Sequence, residues 1–141
     1  LVPTDGSDPA DRALELGVDV ATAEGAALHL LSVISLTTLG AEIGSPPRTA
    51  TATERAGELI EDAVSFAEDA GVESVSGTVE RESSVSRAIR SYADEQGIDL
   101  VVVGTHGRTG FDRYVLGSVA EQLVRTAPVP VLTVREPLQE E

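Results

Sequence analysis

Along the 141-residue chain, stretches with helical spacing of apolar positions alternate with short apolar runs, and this pattern predicts a chain of strands and helices. Leu1-Val2 reads as a short strand that runs into the turn sequence Pro3-Thr4-Asp5-Gly6-Ser7. Asp8 suits a helix N-cap and Pro9 the first helical position. Ala10, Ala13, Leu14, Gly17, Val18 and Ala21 then recur at helical steps, and Gly25 stops the helix. The run from Ala26 to Ile34 suits a strand covered on both faces. Residues 36–50 carry no period and read as a mobile loop. Thr51-Ala52-Thr53-Glu54 has capping-box form, ahead of a helix burying Ala56, Leu59, Ile60, Ala63, Val64, Ala67 and Ala70. Val72 to Val79 alternates imperfectly, like a strand near a sheet edge. Ser83 or Ser84 caps a third helix with Val85, Ala88, Ile89, Tyr92 and Ala93 inward. Ile98 to Val103 is a buried strand. A fourth helix buries Leu116, Val119, Ala120, Leu123, Val124 and Ala127, and a last strand runs from Val129 to Val134. Residues 136–141 form an acidic tail.

Strands alternating with helices predict an α/β fold: one domain over residues 1–141, doubly wound, with a five-stranded parallel sheet and helices on both faces. In such folds ligands bind beyond the C-terminal strand ends, where strand order reverses. Thr4-Asp5 and Gly104-Thr105-His106-Gly107 both occupy such ends.

Composition narrows the partners. The chain holds 24 acidic and 10 basic residues, a formal net charge of -14, and every basic residue is Arg. That field repels nucleic acid and anionic lipid, so neither is an expected partner. No apolar run is long enough to span a bilayer, no signal segment is evident and there is no cysteine, so a cytoplasmic location is expected. The chain opens on Leu1 inside a strand, which predicts a few residues ahead of it. An acidic, Lys-free chain with 3% aromatics resembles proteins of extreme halophiles, here a halophilic archaeon; an acidic mesophilic protein is the alternative.

The chemistry concentrates in one stretch. Leu100-Val101-Val102-Val103 ends in Gly104-Thr105-His106-Gly107-Arg108-Thr109-Gly110, and Leu116-Gly117-Ser118-Val119-Ala120-Glu121 opens the fourth helix. Strand, glycine-rich loop and helix N-terminus together present N–H groups and a positive dipole end to a phosphate. Ser118 also has capping-box spacing to Glu121, and Asp5-Gly6-Ser7 is also an ordinary turn. With no Lys in the chain, P-loop chemistry is excluded.

Gly104-x2-Gly107-x9-Gly117-Ser118 resembles the nucleotide-binding pattern of the universal stress protein family, specifically its ATP-binding, UspA-like members. Leu1-Val2-Pro3-Thr4-Asp5-Gly6-Ser7, Gly25-Ala26-Ala27-Leu28-His29-Leu30-Leu31 and Ala127-Pro128-Val129-Pro130-Val131-Leu132 resemble family segments too. Two positions depart from the family: Glu82-Ser83-Ser84 stands where many members have Gly and Pro, and Ser32 where a His is frequent. The resemblance implies an adenine nucleotide alpha hydrolase-like fold with strand order 3-2-1-4-5. It implies ATP or another adenine nucleotide with Mg2+ or Mn2+, and a homodimer through the last strand, Val129 to Val134. It places the nucleotide against Pro3, Thr4, Asp5, Val33, Val103, Gly104, Thr105, His106, Gly107, Arg108, Thr109, Gly110, Gly117, Ser118 and Val119, with Asp5 also as metal ligand. Gly104 and Gly107 would permit close backbone approach and positive φ. His106 has no Ser-His-Asp or metal-ligand spacing around it, and no catalytic residue is assigned. A dimeric, ATP-binding regulator of stress response is the leading expectation. A slow ATP hydrolase using a metal on Asp5, and a nucleotide-free interaction module, are the alternatives.

Overall fold

The computed structural model describes residues 1–36, 46–105 and 116–135, and at residues 46–50 the backbone alone. The elements are β1 (Val2–Pro3), α1 (Asp8–Glu24), β2 (Leu28–Ser35), α2 (Pro46–Asp69), β3 (Val75–Glu82), α3 (Val85–Glu95), β4 (Val101–Gly104), α4 (Ser118–Thr126) and β5 (Val131–Val134).

Alternate residues of each strand point to opposite faces, and the two faces have separate cores. Val2, Leu28, Leu30 and Val102 pack with Ala13, Leu14 and Val18 of α1 and with Ile60, Ala63 and Ala67 of α2. Leu1, Leu31, Val101 and Val103 pack with Ile89, Tyr92 and Ala93 of α3 and with Ala120 and Leu123 of α4. Helices therefore cover both faces, as the alternation predicts. No helix among the described residues is long and apolar enough to cross a membrane.

All pairing is parallel, but in two sheets, of order β1-β2-β3 and β4-β5, where one five-stranded sheet was expected. Two backbone hydrogen bonds cross between the sheets: the Leu1 nitrogen donates to the Leu100 carbonyl (2.8 Å), and the Val102 N–H to the Leu1 carbonyl (2.9 Å). The next β1 residue on that side is Pro3, which has no N–H to donate.

Several boundaries differ from the periodicity: β2 begins at Leu28 and not Ala26, β4 at Val101 and not Ile98, and β5 at Val131 and not Val129. Residues 46–50, expected in a loop, are helical, and the Thr51–Glu54 capping box lies inside α2; residues 37–45 and the tail 136–141 lie outside the described residues. Among residues 51–55 of α2 none is in the core, which begins with Ala56, so the turn before it carries no apolar signal. β3 begins at Val75 and not Val72, because its extent follows its partner: the register runs from Leu28 opposite Val75 to Ser35 opposite Glu82. At α1 the cap is Ser7 rather than Asp8; its hydroxyl accepts from the Ala10 N–H at 3.3 Å. Gly25 ends α1 at φ 64°, and Ser84 caps α3.

α1 lies unusually close to β1. A Cβ on Gly17 would stand 2.5 Å from Val2 Cγ2, closer than side chains tolerate. Gly17→Ala should therefore lower stability by about 1–3 kcal/mol through overpacking, despite a helix-propensity gain of about 1 kcal/mol. Adding Val2→Ala should recover part of the loss. Denaturant unfolding of the single and double variants checks this, and a stabilised Gly17→Ala would refute the close-approach argument.

Candidate functional site

β1 and β4 end on the same side of the molecule, and a cavity of about 290 Å³ opens there. Its walls come from the chain just beyond β1, the C-terminal half of β2, the end of β4 and the first turns of α1, α3 and α4. Pro3, Thr4, Asp5, Val33, Val103, Gly104, Thr105, Gly117, Ser118 and Val119, all anticipated from the sequence, line it together. His106, Gly107, Arg108, Thr109 and Gly110 lie outside the described residues. Ser7, Ala10, Leu31, Val85, Ile89 and Ala120 line it as well and were not anticipated. Helical spacing does mark Val85 and Ile89 as inward-facing, but periodicity does not distinguish a core wall from a cavity wall.

One wall is apolar, built from Leu31, Val33, Val85, Ile89 and Val103. The other is made of backbone and hydroxyl groups. The Glu121 N–H makes the first bond inside α4, to the Gly117 carbonyl at 2.9 Å. The N–H groups of Ser118, Val119 and Ala120 precede it and have no acceptor within the helix. Gly117 is the N-cap and no side chain caps α4, so the Ser118 hydroxyl does not serve the capping role its spacing suggested. The Gly117 N–H donates to the Thr105 carbonyl, and the Thr105 N–H to the Val134 carbonyl at 2.9 Å, which ties the cavity floor to β5.

Gly104 departs from the positive-φ expectation. The described glycines with positive φ are Gly6, Gly25, Gly71 and Gly97, so Gly104 does not use left-handed backbone. Its small size is required by α1: a Cβ there would lie 2.7 Å from the Pro9 carbonyl carbon and 2.8 Å from its oxygen. Gly117, at φ -61° and ψ 155°, has extended backbone open to other residues.

The Thr4–Ser7 turn is held locally. Asp5 Oδ1 accepts from the Ser7 N–H at 2.9 Å, and Thr4 Oγ1 from the Gly6 N–H at 3.2 Å. Asp5 thus serves the turn and lines the cavity too. Beside it α1 is crowded with carboxylates: burial pushes the Asp11 carboxyl above its ordinary range, and Asp8, Glu15 and Asp5 add to the effect. No Lys or Arg is among the described lining residues. Nor do three or more acidic or His side chains gather as a metal site among the described residues. One carboxylate holds Mg2+ or Mn2+ only when other oxygens, such as ligand phosphates, complete the shell. His29, away from the cavity, meets the Tyr92 hydroxyl at 2.8 Å and packs edge-on against its ring.

The sequence profile of the Universal stress protein family matches residues 1–135. A universal stress protein of Methanocaldococcus jannaschii is 33% identical over 143 residues, covering 99% of this chain and 83% of the relative. Among solved structures, a hypothetical protein whose biochemical function was assigned from its structure superposes with a TM-score of 0.88. It is 28% identical, with 98% of this chain and 95% of the other covered. A universal stress protein in complex with cAMP superposes with a TM-score of 0.71 at 26% identity, covering 96% and 94%.

Thr105 offers a direct probe of the cavity. It is 2% exposed, and its hydroxyl has no partner among the described residues. A buried unsatisfied hydroxyl costs about 1–3 kcal/mol. Thr105→Val should therefore leave the ligand-free protein equally stable or more stable, by up to about 2 kcal/mol. Thermal and denaturant unfolding check this, and a loss of stability would show that the hydroxyl is satisfied.

Proposed function

The chain belongs to the universal stress protein family, and from that footing we propose that its cavity binds an adenine nucleotide and that the protein acts as a nucleotide-dependent regulatory module in stress response. The observation that carries the proposal is the two-sided cavity. An apolar wall of Leu31, Val33, Val85 and Ile89 suits a purine, and the uncapped first turn of α4 suits a phosphate. The cAMP complex of a relative with 26% identity supports the same ligand class.

In this proposal ATP is the leading ligand, with AMP or a cyclic nucleotide as alternatives. Val33 rests against the base, and Pro3, Thr4, Val103, Gly104 and Thr105 surround base and ribose. Ser118 and Val119 hold phosphate oxygens, Gly117, whose N–H is given to the Thr105 carbonyl, leaves room for them, and the loop His106–Gly107–Arg108–Thr109–Gly110 closes over them. Mg2+ or Mn2+ would be held by Asp5 together with the phosphates, offsetting the carboxylates on α1. Binding, not turnover, is the proposed activity. The two sheets are proposed to act as one, in order 3-2-1-4-5, a reading supported by the Leu1 hydrogen bonds to Leu100 and Val102. Residues 1–141 are read as one cytoplasmic domain that pairs as a homodimer through residues 129–134. Support comes from Leu132 on β5 and Val124 on α4, which are 39% and 53% exposed.

Calorimetric titration with ATP and AMP, in molar KCl with Mg2+, tests the site. Wild type should bind, and Gly117→Val should weaken binding by tenfold or more, a loss of at least about 1.4 kcal/mol. Valine fits the Gly117 backbone, so the fold should persist. A folded wild type that binds neither nucleotide would leave the interaction-module reading in place.

The charge of -14 without Lys supports a halophilic setting. Melting temperature should fall as KCl is lowered from molar to about 0.1 M, where the Debye length grows to about 10 Å and carboxylates repel over longer range. A constant melting temperature would remove the halophilic reading.

A further inference from the structure

The cavity lies between the first turns of α3 and α4, and a hydrogen-bond chain joins these helices. Ser86, 2% exposed on α3, donates from its hydroxyl to Gln122 Oε1 on α4, one turn in from Ser118. The Ser86 hydroxyl is also 3.2 Å from that of Ser84, which accepts from the Arg87 N–H at 3.3 Å as the α3 cap. The N-cap of one helix is thus tied to the flank of the other. Ile89 and Tyr92 of α3 and Ala120 and Leu123 of α4 share one apolar cluster. Apolar contact is non-directional and permits a helix to slide or roll, whereas a hydrogen bond to a buried hydroxyl sets position. An apolar pair could hold the helices together as strongly, so stability alone does not account for a serine buried there.

We infer that Ser86 and Gln122 are positioning residues of the nucleotide site: their hydrogen bond fixes the first turn of α4 relative to α3. The Ser118 and Val119 N–H groups then meet the phosphate of a ligand whose apolar part rests on Val85 and Ile89. The inference depends on the nucleotide reading above. It distinguishes phosphate from base, because the bond places the α4 end of the cavity and not its apolar wall.

AMP and adenosine separate the two contributions. AMP affinity is read by calorimetry and adenosine affinity by NMR shift titration, for wild type and for Ser86→Ala/Gln122→Leu, which removes both hydrogen-bond partners. The double variant should bind AMP about tenfold more weakly and adenosine within about twofold of wild type. Equal weakening of both ligands, or unchanged AMP affinity, would overturn the positioning role while leaving the nucleotide reading intact. A wild type that binds neither ligand would overturn both. If the double variant does not fold, Gln122→Ala at its exposed position carries the same expectation and the same refutation.

Discussion

The closeness of α1 to β1 and β4 is the constraint on which the rest of the structure depends. Two absent Cβ atoms permit it: Gly17 leaves room for Val2, and Gly104 for the Pro9 backbone. A side chain at either position would lift α1 off the sheet or tilt its first turn. That turn carries Ser7 and Ala10 to the cavity, so an approach set in the core also sets one wall of the site. The opposite wall hangs from a single residue. Thr105 gives its N–H to β5 and its carbonyl accepts from the α4 cap, so the end of β4, the end of β5 and the start of α4 meet at one residue.

Electrostatics pull against this site. The chain carries a net charge of -14, and Asp5, Asp8, Asp11 and Glu15 crowd the start of α1. No positive side chain answers them among the described lining residues. An anion entering such a cavity is met chiefly by backbone N–H groups. These act at hydrogen-bond range and against the local dipole, and salt screens them far less than it screens surface charge.

A regulator needs a ligand site whose occupancy is felt elsewhere. The cavity adjoins β5 through the Thr105–Val134 bond, and α4 leads from the cavity to that same strand. The α4 turn that lines the cavity and the exposed Val124 lie on one helix, and the exposed Leu132 lies on β5.

Much of this was legible in the sequence. Helical spacing marked the four helices, Gly25 marked a stop, Ser83 or Ser84 a cap, and the strand ends at 3–5 and 103–105 and the helix start at 117–119 pointed to one cavity. These are local signals, written within a few residues of the feature they specify. Tertiary structure alone decided the rest. β3 runs from Val75 to Glu82 because β2 offers partners over that span, and α2 starts at Pro46, ahead of the expected capping box. Gly104 resembled a ligand-approach glycine, yet its neighbour is Pro9, nearly a hundred positions away in the chain. Val85, Ile89, Leu31 and Ala120 share a period with ordinary core residues, so nothing local separates those that line the cavity. Sequence by itself determined which elements form and that the ends of β1 and β4 and the start of α4 carry turn, glycine and hydroxyl residues, because those follow from propensity and short-range hydrogen bonding. Tertiary structure determined which buried side chains face one another and which face open space, because that depends on contacts between segments distant in the chain.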